Sequence, residues 1–160
     1  MKKICMAEEL ARYNLDGKWN DYVGVQKEVL RVLRKEEFFT KEEIINRKTG
    51  ISVKINAKGI KETLGTGKRF QMLPKTLKKY KIATIKSLKW IIENAELIKD
   101  DVENIHEKNG YNFAYFRGEL VIDDSVLKVR ITVKKKIGVN WFWIHNIDQK
   151  EKVPNYSTHP

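Results

Sequence analysis

The feature that most constrains the fold is an alternation of apolar and polar residues in the last third of the chain. Apolar residues occupy the odd positions from Leu127 to Val133, and lysine, arginine or threonine occupies the even positions from Lys128 to Lys134. Because successive side chains of a β-strand point to opposite faces, this pattern predicts a half-buried strand with one apolar and one cationic face. From Tyr111 onward the neighbouring segments show the same period, so we predict an antiparallel meander.

Two short loops are predicted to connect the strands of this meander, one at Ile137–Gly138 and one at Asp124–Ser125. The predicted polar face then has three cross-strand rows: Tyr115–Lys134–Trp141, Arg117–Thr132–Trp143 and Glu119–Arg130–His145. A slip of one residue in either loop would move these side chains to the opposite face. If helices cover the polar face as well, both tryptophans belong to a second layer of core.

The first hundred residues show helical spacing interrupted by turns. The predicted elements are helices at 22–37 and 83–98, strands at 42–46 and 51–55, and a polar connection at 100–110. Asn56 is expected to cap a helix that begins near Lys58, and Pro74 is expected to open a short helical turn. The predicted fold class is therefore α+β, with N-terminal helices followed by an antiparallel β-meander.

Charge is the second informative property of the chain. The net charge is +11, and residues 54–89 alone hold eleven lysines or arginines against one acid, Glu62. Such a cluster favours a polyanionic partner, with nucleic acid ahead of an acidic protein or a membrane surface, although a lysine-rich composition alone would also give solvated basic faces. A single cysteine, Cys5, excludes an internal disulfide framework. No Cys/His spacing indicates a zinc site, and no apolar run is long enough to span a membrane. We therefore expect a cytoplasmic protein without a metal or other cofactor.

The polar face of the predicted meander suits RNA cleavage without a metal. His145 is the candidate general acid or base, because histidine titrates near neutral pH. Arg130 and Lys134 are candidates to stabilise charge on the phosphate, and Glu119 to orient Arg130 or act as the base. The expected RNA-binding residues of the same face are Tyr115, Arg117, Thr132, Trp141 and Trp143. An ordinary surface network of ion pairs would group the same residue types.

Basic residues before the sheet supply further candidates. Lys68 and Arg69 lie in the glycine turn GTGKRF. The turn is not a nucleotide-hydrolysis motif, because GxGK is not followed by Ser or Thr. We expect the two side chains to contact backbone phosphates instead. Lys58 and Thr63 lie in the helix that Asn56 is expected to cap, near whose start backbone N–H groups favour anions. Solvated helix positions remain the alternative for both.

Three runs of the chain resemble a known group of small modules. They are INRKTGISVKINAKGIKETLG, MLPKTLKKYKIATIKSLKWIIENAELI, and VRITVKKK followed by FWIHNID. Similar modules occur in phage polyvalent proteins and polymorphic toxins and are grouped with the barnase/EndoU/colicin/RelE-like nucleases. The resemblance covers residues 42–149, so the predicted domains are a helical appendage at 1–41, a nuclease-like domain at 42–149 and a tail at 150–160.

The resemblance implies a core of one or two helices followed by a four-stranded antiparallel sheet. It also implies a metal-independent ribonuclease that acts on tRNA or another cellular RNA, and a toxin that a cognate immunity protein neutralises. Lys58, Thr63, Lys134 and His145 are carried over as catalytic positions, since they match the KGIxET, VKK and WIHNI runs. A non-catalytic nucleic-acid-binding module and a protein-interaction domain remain the alternatives, and the oligomeric state is open.

Overall fold

The structure of the chain, a computed structural model, describes residues 1–64, 71–103, 111–136 and 142–154; at 101–103, 111, 136 and 142–154 it describes the backbone alone. Helices within these ranges are α1 (Met6–Leu10), α2 (Tyr22–Lys35), α3 (Ala57–Thr63), α4 (Lys75–Ala83) and α5 (Leu88–Asn94), with a 3-10 turn at Ile85–Ser87. Strands are β1 (Lys3–Ile4), β2 (Ile44–Ile45), β3 (Ser52–Lys54), β4 (Glu96–Glu103), β5 (Tyr111–Ile122), β6 (Ser125–Lys136) and β7 (Phe142–Pro154). The predicted α+β class, with helices followed by a sheet rich in antiparallel pairs, is confirmed.

Seven strands of the described residues form one mixed sheet. Its order is β1–β5–β6–β7–β3–β2, and β4 pairs with β5 on the edge that β1 also uses. The four long strands β4 to β7 pair antiparallel, whereas β1 and β3 run parallel to β5 and β7. The antiparallel meander predicted from Tyr111 onward is therefore confirmed, and short strands from earlier in the chain extend it.

The start of β4 corrects two predictions. The predicted helix at 83–98 is confirmed in part, as the 3-10 turn at Ile85–Ser87 followed by α5, but it ends at Asn94 and β4 begins at Glu96. Strand β4 also takes the first part of the predicted polar connection at 100–110, whose remainder lies outside the described residues. Its pairing with β5 shifts register between Leu97 and Lys99 and again before Val102. These irregularities break the period of two, so the sequence pattern does not show the strand.

The N-terminal elements follow their local signals closely. The helix predicted at 22–37 is confirmed as α2, and the two predicted short strands are confirmed in shorter form as β2 and β3. Between these strands Gly50 has a φ of 74°, a left-handed conformation that glycine adopts without steric cost. Asn56 caps α3 as predicted, since its Oδ1 accepts a backbone hydrogen bond at 2.7 Å. Helix α4 follows Pro74, at the predicted helical turn.

The register of β5 against β6 differs from the prediction by two positions. Arg117 is aligned with Arg130 rather than with Thr132, because the turn lies at Asp123–Asp124 and not one residue later. Asp123 has a φ of 52°, a left-handed conformation that aspartate tolerates better than most residues. A shift of two positions keeps every residue on its predicted face, so the predicted faces of β5 and β6 are correct although the predicted rows are not.

The register of β6 against β7 also corrects the prediction. Lys134 is aligned with Trp143, two positions further along β7 than the predicted Trp141. The register then shifts again, and Arg130 is aligned with Asp148 rather than with His145. The predicted pairing through Ile137–Gly138 is therefore wrong, and the loop itself, at residues 137–141, lies outside the described residues.

The helices pack against one face of β5 and β6. Core residues of these strands are Phe116, Leu120, Leu127, Val129, Ile131 and Val133. They share a cluster with Ile85, Leu88 and Ile91 of the helical layer. Gly118 allows the close approach of α5, because a Cβ at that position would lie 2.6 Å from Ile91 Cγ2.

The first 41 residues contribute to the same core. Tyr13, Leu15 and apolar residues of α2 belong to the cluster that contains the β5–β6 residues. The domain boundaries at 41/42 and 149/150 stay predictions. Within the described ranges, none of the helices has the length and apolar character needed to cross a membrane.

Candidate nucleic-acid interface

One face of the β5–β6 hairpin is left open by the helices, and we call it the open face. It consists of Tyr115, Arg117 and Glu119 of β5 with Lys128, Arg130, Thr132 and Lys134 of β6. Arg117 and Glu119 are exposed and the other five are half-buried, whereas the residues between them in sequence form the core. Further along the same face Phe113 is buried, outside the main core cluster. The expected open polar face is therefore present at the described positions, and the helices do not seal it.

Two arginines lie directly opposite each other on the open face. Arg117 and Arg130 are cross-strand partners, a position in which Cβ atoms are about 5 Å apart and like charges destabilise the sheet. The row continues to Glu96 of β4 on one side and to Asp148 of β7 on the other. Among the described side chains, neither arginine is within ion-pair distance of a carboxylate. The centre of the row therefore concentrates positive charge.

An aromatic ring orients one of these arginines. The guanidinium carbon of Arg130 lies 4.6 Å from the centre of the Tyr115 ring, which is a cation–π contact. Lys128 and Lys134 occur on the same face of β6 at two and four positions from Arg130, where alternate residues of a strand are about 7 Å apart. A planar guanidinium on an aromatic ring, flanked by lysines, can donate several hydrogen bonds to phosphate oxygens.

The remaining predicted site residues are distributed over three places. Thr63 is buried in α3 and its hydroxyl donates to the Gly59 carbonyl at 2.9 Å, so this group serves the helix. Lys58 is exposed at the second position of α3, a helix that contacts β7. Predicted contacts outside the described residues are Lys68, Arg69 and Trp141.

Two predicted residues of β7 are described by their backbone alone. Trp143 is aligned with Lys134 and not, as predicted, with Thr132. His145 lies at a register shift, between the residues aligned with Val133 and Thr132. The predicted row of Glu119, Arg130 and His145 is therefore not formed, since Glu119 is aligned with Lys128.

The sequence patterns did not identify a cleft beside Arg117. It has a volume of about 510 Å³, and its walls include Lys48, Trp90, Glu96 and Glu119. These residues come from three separate elements and a turn, so no local pattern groups them. The one available signal was Gly118, because a glycine within a strand often marks a close approach of another part of the chain. Among the described residues, no group of three or more His, Cys, Asp or Glu side chains is arranged to hold a metal ion.

The fold and the open face define an α+β domain with a cation-rich sheet surface. The model of a protein family described as large polyvalent protein-associated domain 3 matches residues 20–141. Because this match spans most of the chain, the chain belongs to that family. The family confirms the part of the resemblance that links the chain to phage polyvalent proteins, and the nuclease part stays a proposal. No curated protein and no solved structure matches the chain.

Proposed function

We propose that this domain is an accessory module of a large polyvalent protein and binds a nucleic-acid strand, RNA above all, on its open face. The observation that carries the proposal is the alignment of Arg117 with Arg130. Two facing cations cost stability in the isolated protein, and a phosphate between them would turn that repulsion into two charge-assisted hydrogen bonds.

The surroundings of the two arginines support a polymeric anion over a single ion. Lys128 and Lys134 extend the positive charge along β6, so that consecutive phosphates of one strand would meet successive cations. Tyr115 offers an aromatic ring on the same face, and aromatic rings stack on bases with little dependence on sequence. We expect binding that is strong at low salt and weakly sequence-specific.

Metal-independent RNA cleavage is the second candidate function, and two observations favour it. Strands β4 to β7 form a four-stranded antiparallel unit after the helices, as the resemblance implies. His145 lies at an irregularity of β7 next to the open face, and such irregularities often occur beside active sites, where they redirect a side chain. In this scheme His145 is the acid or base for attack of the 2′-hydroxyl, and Arg130 with Lys134 stabilises the phosphorane.

This scheme departs from the predicted set of residues in one respect. Thr63 takes no part, because its hydroxyl is buried and hydrogen-bonded within α3. Glu119 and Lys58 are exposed and remain available as the second acid–base group and as a phosphate contact. A tRNA substrate, a cytoplasmic site of action and a cognate immunity protein belong to this second candidate.

Binding is tested with the full chain and a fluorescently labelled single-stranded RNA, followed by anisotropy over a range of salt. Arg117→Gln and Arg130→Gln should each weaken binding roughly 10- to 100-fold, as expected for a charged hydrogen bond, and lower the salt dependence by about one counterion. The control Arg34→Gln removes an exposed arginine of α2 and should leave the affinity unchanged. Wild-type affinity in both open-face variants would refute the proposal.

Cleavage is tested by incubating the same proteins with total tRNA in EDTA. Discrete fragments that disappear with His145→Ala, while binding persists, would establish the second candidate. If the RNA stays intact while binding is retained, the second candidate is excluded and the accessory binding module stands. Cleavage that survives both His145→Ala and Arg130→Ala would show that the reaction takes place elsewhere on the protein.

A further inference from the structure

The cleft beside Arg117 exists because two strands share one edge of β5 without meeting. Strand β4 is aligned with β5 from Asn112 to Arg117, and β1 begins opposite Val121. Among the described residues, positions 118–120 have no strand neighbour on this edge. We call the space at this gap the edge cleft; it has a volume of about 510 Å³.

Helix α5 and a turn form the other walls of the edge cleft, and both are held firmly. Gly118 lets α5 approach the sheet, which brings Trp90 to the gap. Buried Asn46 donates to the carbonyls of Ile92 and Ala95 at 2.7 and 2.9 Å, at the end of the same helix. Because Asn46 also begins the turn that carries Lys48, its amide fixes this lysine relative to α5.

The walls offer three kinds of contact to a ligand. Trp90 is a half-buried indole, which can stack on a planar ring. Glu96 and Glu119 are exposed carboxylates, which accept hydrogen bonds from N–H groups. Lys48 and Arg117 are exposed cations suited to a phosphate. A nucleotide combines a planar base that carries N–H donors with an anionic phosphate, whereas a bare anion would meet the carboxylates and gain nothing from the indole.

The volume and position of the edge cleft point to one nucleotide of a longer strand. Pockets for small ligands range from about 300 to 1,000 Å³, so about 510 Å³ holds one base with its sugar but no duplex. Arg117 lines the cleft and also lies opposite Arg130 on the open face. A strand whose phosphates follow the open face therefore passes the mouth of the cleft.

We infer that the edge cleft receives one unpaired base of the bound strand, stacked on Trp90, while Arg117 holds the adjacent phosphate. The inference rests on the proposed binding of nucleic acid to the open face and makes the substrate class more specific, namely single-stranded nucleic acid. A duplex keeps its bases paired and stacked and would have to unstack one at a cost of a few kcal/mol.

The test compares three labelled probes of equal length at low salt: a single strand, the corresponding duplex, and a strand whose sugars carry no bases. The wild-type protein should bind the intact single strand more tightly than either other probe. Trp90→Ala should weaken binding of the intact strand roughly 5- to 100-fold, the range for loss of one base–aromatic stack, and leave binding of the base-free strand unchanged. Trp90→Phe, which keeps an aromatic ring, should retain most of the preference.

The outcomes separate this inference from the proposed function. Equal binding of the intact and base-free strands by the wild-type protein overturns the inference and leaves the open face as a phosphate-binding surface. The same conclusion follows if Trp90→Ala keeps the full wild-type preference for bases. Failure to bind any of the three probes at low salt refutes the proposed function, and the inference with it. The wild-type comparison of probes stands even if Trp90→Ala does not fold.

Discussion

The two faces of the β5–β6 hairpin differ in what covers them. On one face Phe116, Val129 and Ile131 are buried under helices, and Gly118 is small because α5 lies directly above it. On the other face the seven residues of the open face stay exposed or half-buried and include two facing arginines. Since neighbours in sequence belong to opposite faces, alternate residues of the same strands serve stability and, in our proposal, binding.

An arginine of the helical layer differs from the arginines of the open face in its partners. Arg31 on α2 donates to Glu28 Oε1 at 2.7 Å, and Glu28 is only 6% exposed. This arginine neutralises a buried carboxylate and therefore serves the fold. Arg117 has no such partner among the described side chains and is aligned with a second arginine. The same residue type thus has a structural role in one region and, in our proposal, a binding role in the other.

The largest expected effect is a difference in stability between substitutions at two consecutive residues of β6. Ile131→Ala should reduce the free energy of unfolding by about 2–5 kcal/mol, because Ile131 is fully buried and the substitution leaves a cavity. Thr132→Ala, on the open face, should change it by less than about 1 kcal/mol. Urea denaturation of both variants measures the difference. Similar losses for both would show that the open face is also packed.

A slightly smaller effect is expected at the contact between α5 and the sheet. Gly118→Ala should cost about 1–3 kcal/mol by overpacking, since the new methyl group would lie 2.6 Å from Ile91 Cγ2. Ile91→Leu lacks that Cγ2 methyl and should recover part of the loss when the two are combined. A double-mutant cycle in urea measures this coupling. Strictly additive effects would contradict the close contact.

The Glu28–Arg31 pair should make stability depend on pH in a way that Arg117 does not. The hydrogen bond from Arg31, with a further one from the Asn14 N–H, lowers the pKa of Glu28 below its ordinary value of 4.5. The ionised carboxylate therefore stabilises the fold above about pH 4.5, and this contribution is lost as the pH falls through the lower, folded-state pKa. Glu28→Gln should be less stable than wild type at neutral pH, and this difference in the free energy of unfolding should become smaller in acid.

Denaturation midpoints at neutral and acidic pH provide the measurement, with Arg117→Gln as the comparison. The stability difference between Arg117→Gln and wild type should not change with pH in this way. A constant gap for Glu28→Gln across the same range would show that the carboxylate is not stabilised by its partners.

The smallest expected effect is on the stability of Arg117→Gln. Removal of one of two facing cations should change the free energy of unfolding by no more than about 0.5 kcal/mol, with a slight gain at low salt where repulsion is least screened. Thermal unfolding at two salt concentrations measures it. A loss of stability that grows as salt is lowered would indicate that Arg117 forms ion pairs within the row that ends at Glu96 and Asp148.

The faces of the long strands could be predicted from the sequence, and their rows could not. Alternation depends on residue parity alone, and the shift of two positions at Asp123 preserves parity. Register depends on where each turn lies: the turn between β5 and β6 lies at Asp123–Asp124, one residue earlier than predicted, and Lys134 pairs two positions further along β7 than predicted. As a result Arg130 is aligned with Arg117 of β5, and its predicted alignment with His145 of β7 is not formed.

Local signals also predicted α2, α3 and the Asn56 cap of α3, whereas the long-range strand pairing was not predicted. Strand β4 is irregular and acquires its conformation from β5, so its sequence resembles the end of a helix followed by a polar loop. Strand β1 is only two residues long and pairs with residues 121–122, more than a hundred positions away. The edge cleft depends on both of these strands and on α5, and for that reason Gly118 was the one signal of it in the sequence.

The most direct test of the account combines two measurements on the double variant Arg117→Gln/Arg130→Gln. The account predicts that binding of single-stranded RNA at low salt is lost, while the free energy of unfolding changes by less than about 1 kcal/mol, the size of the cation–π contact with Tyr115. Retained binding together with a clear loss of stability would contradict it, because the two arginines would then belong to the fold and not to a nucleic-acid interface.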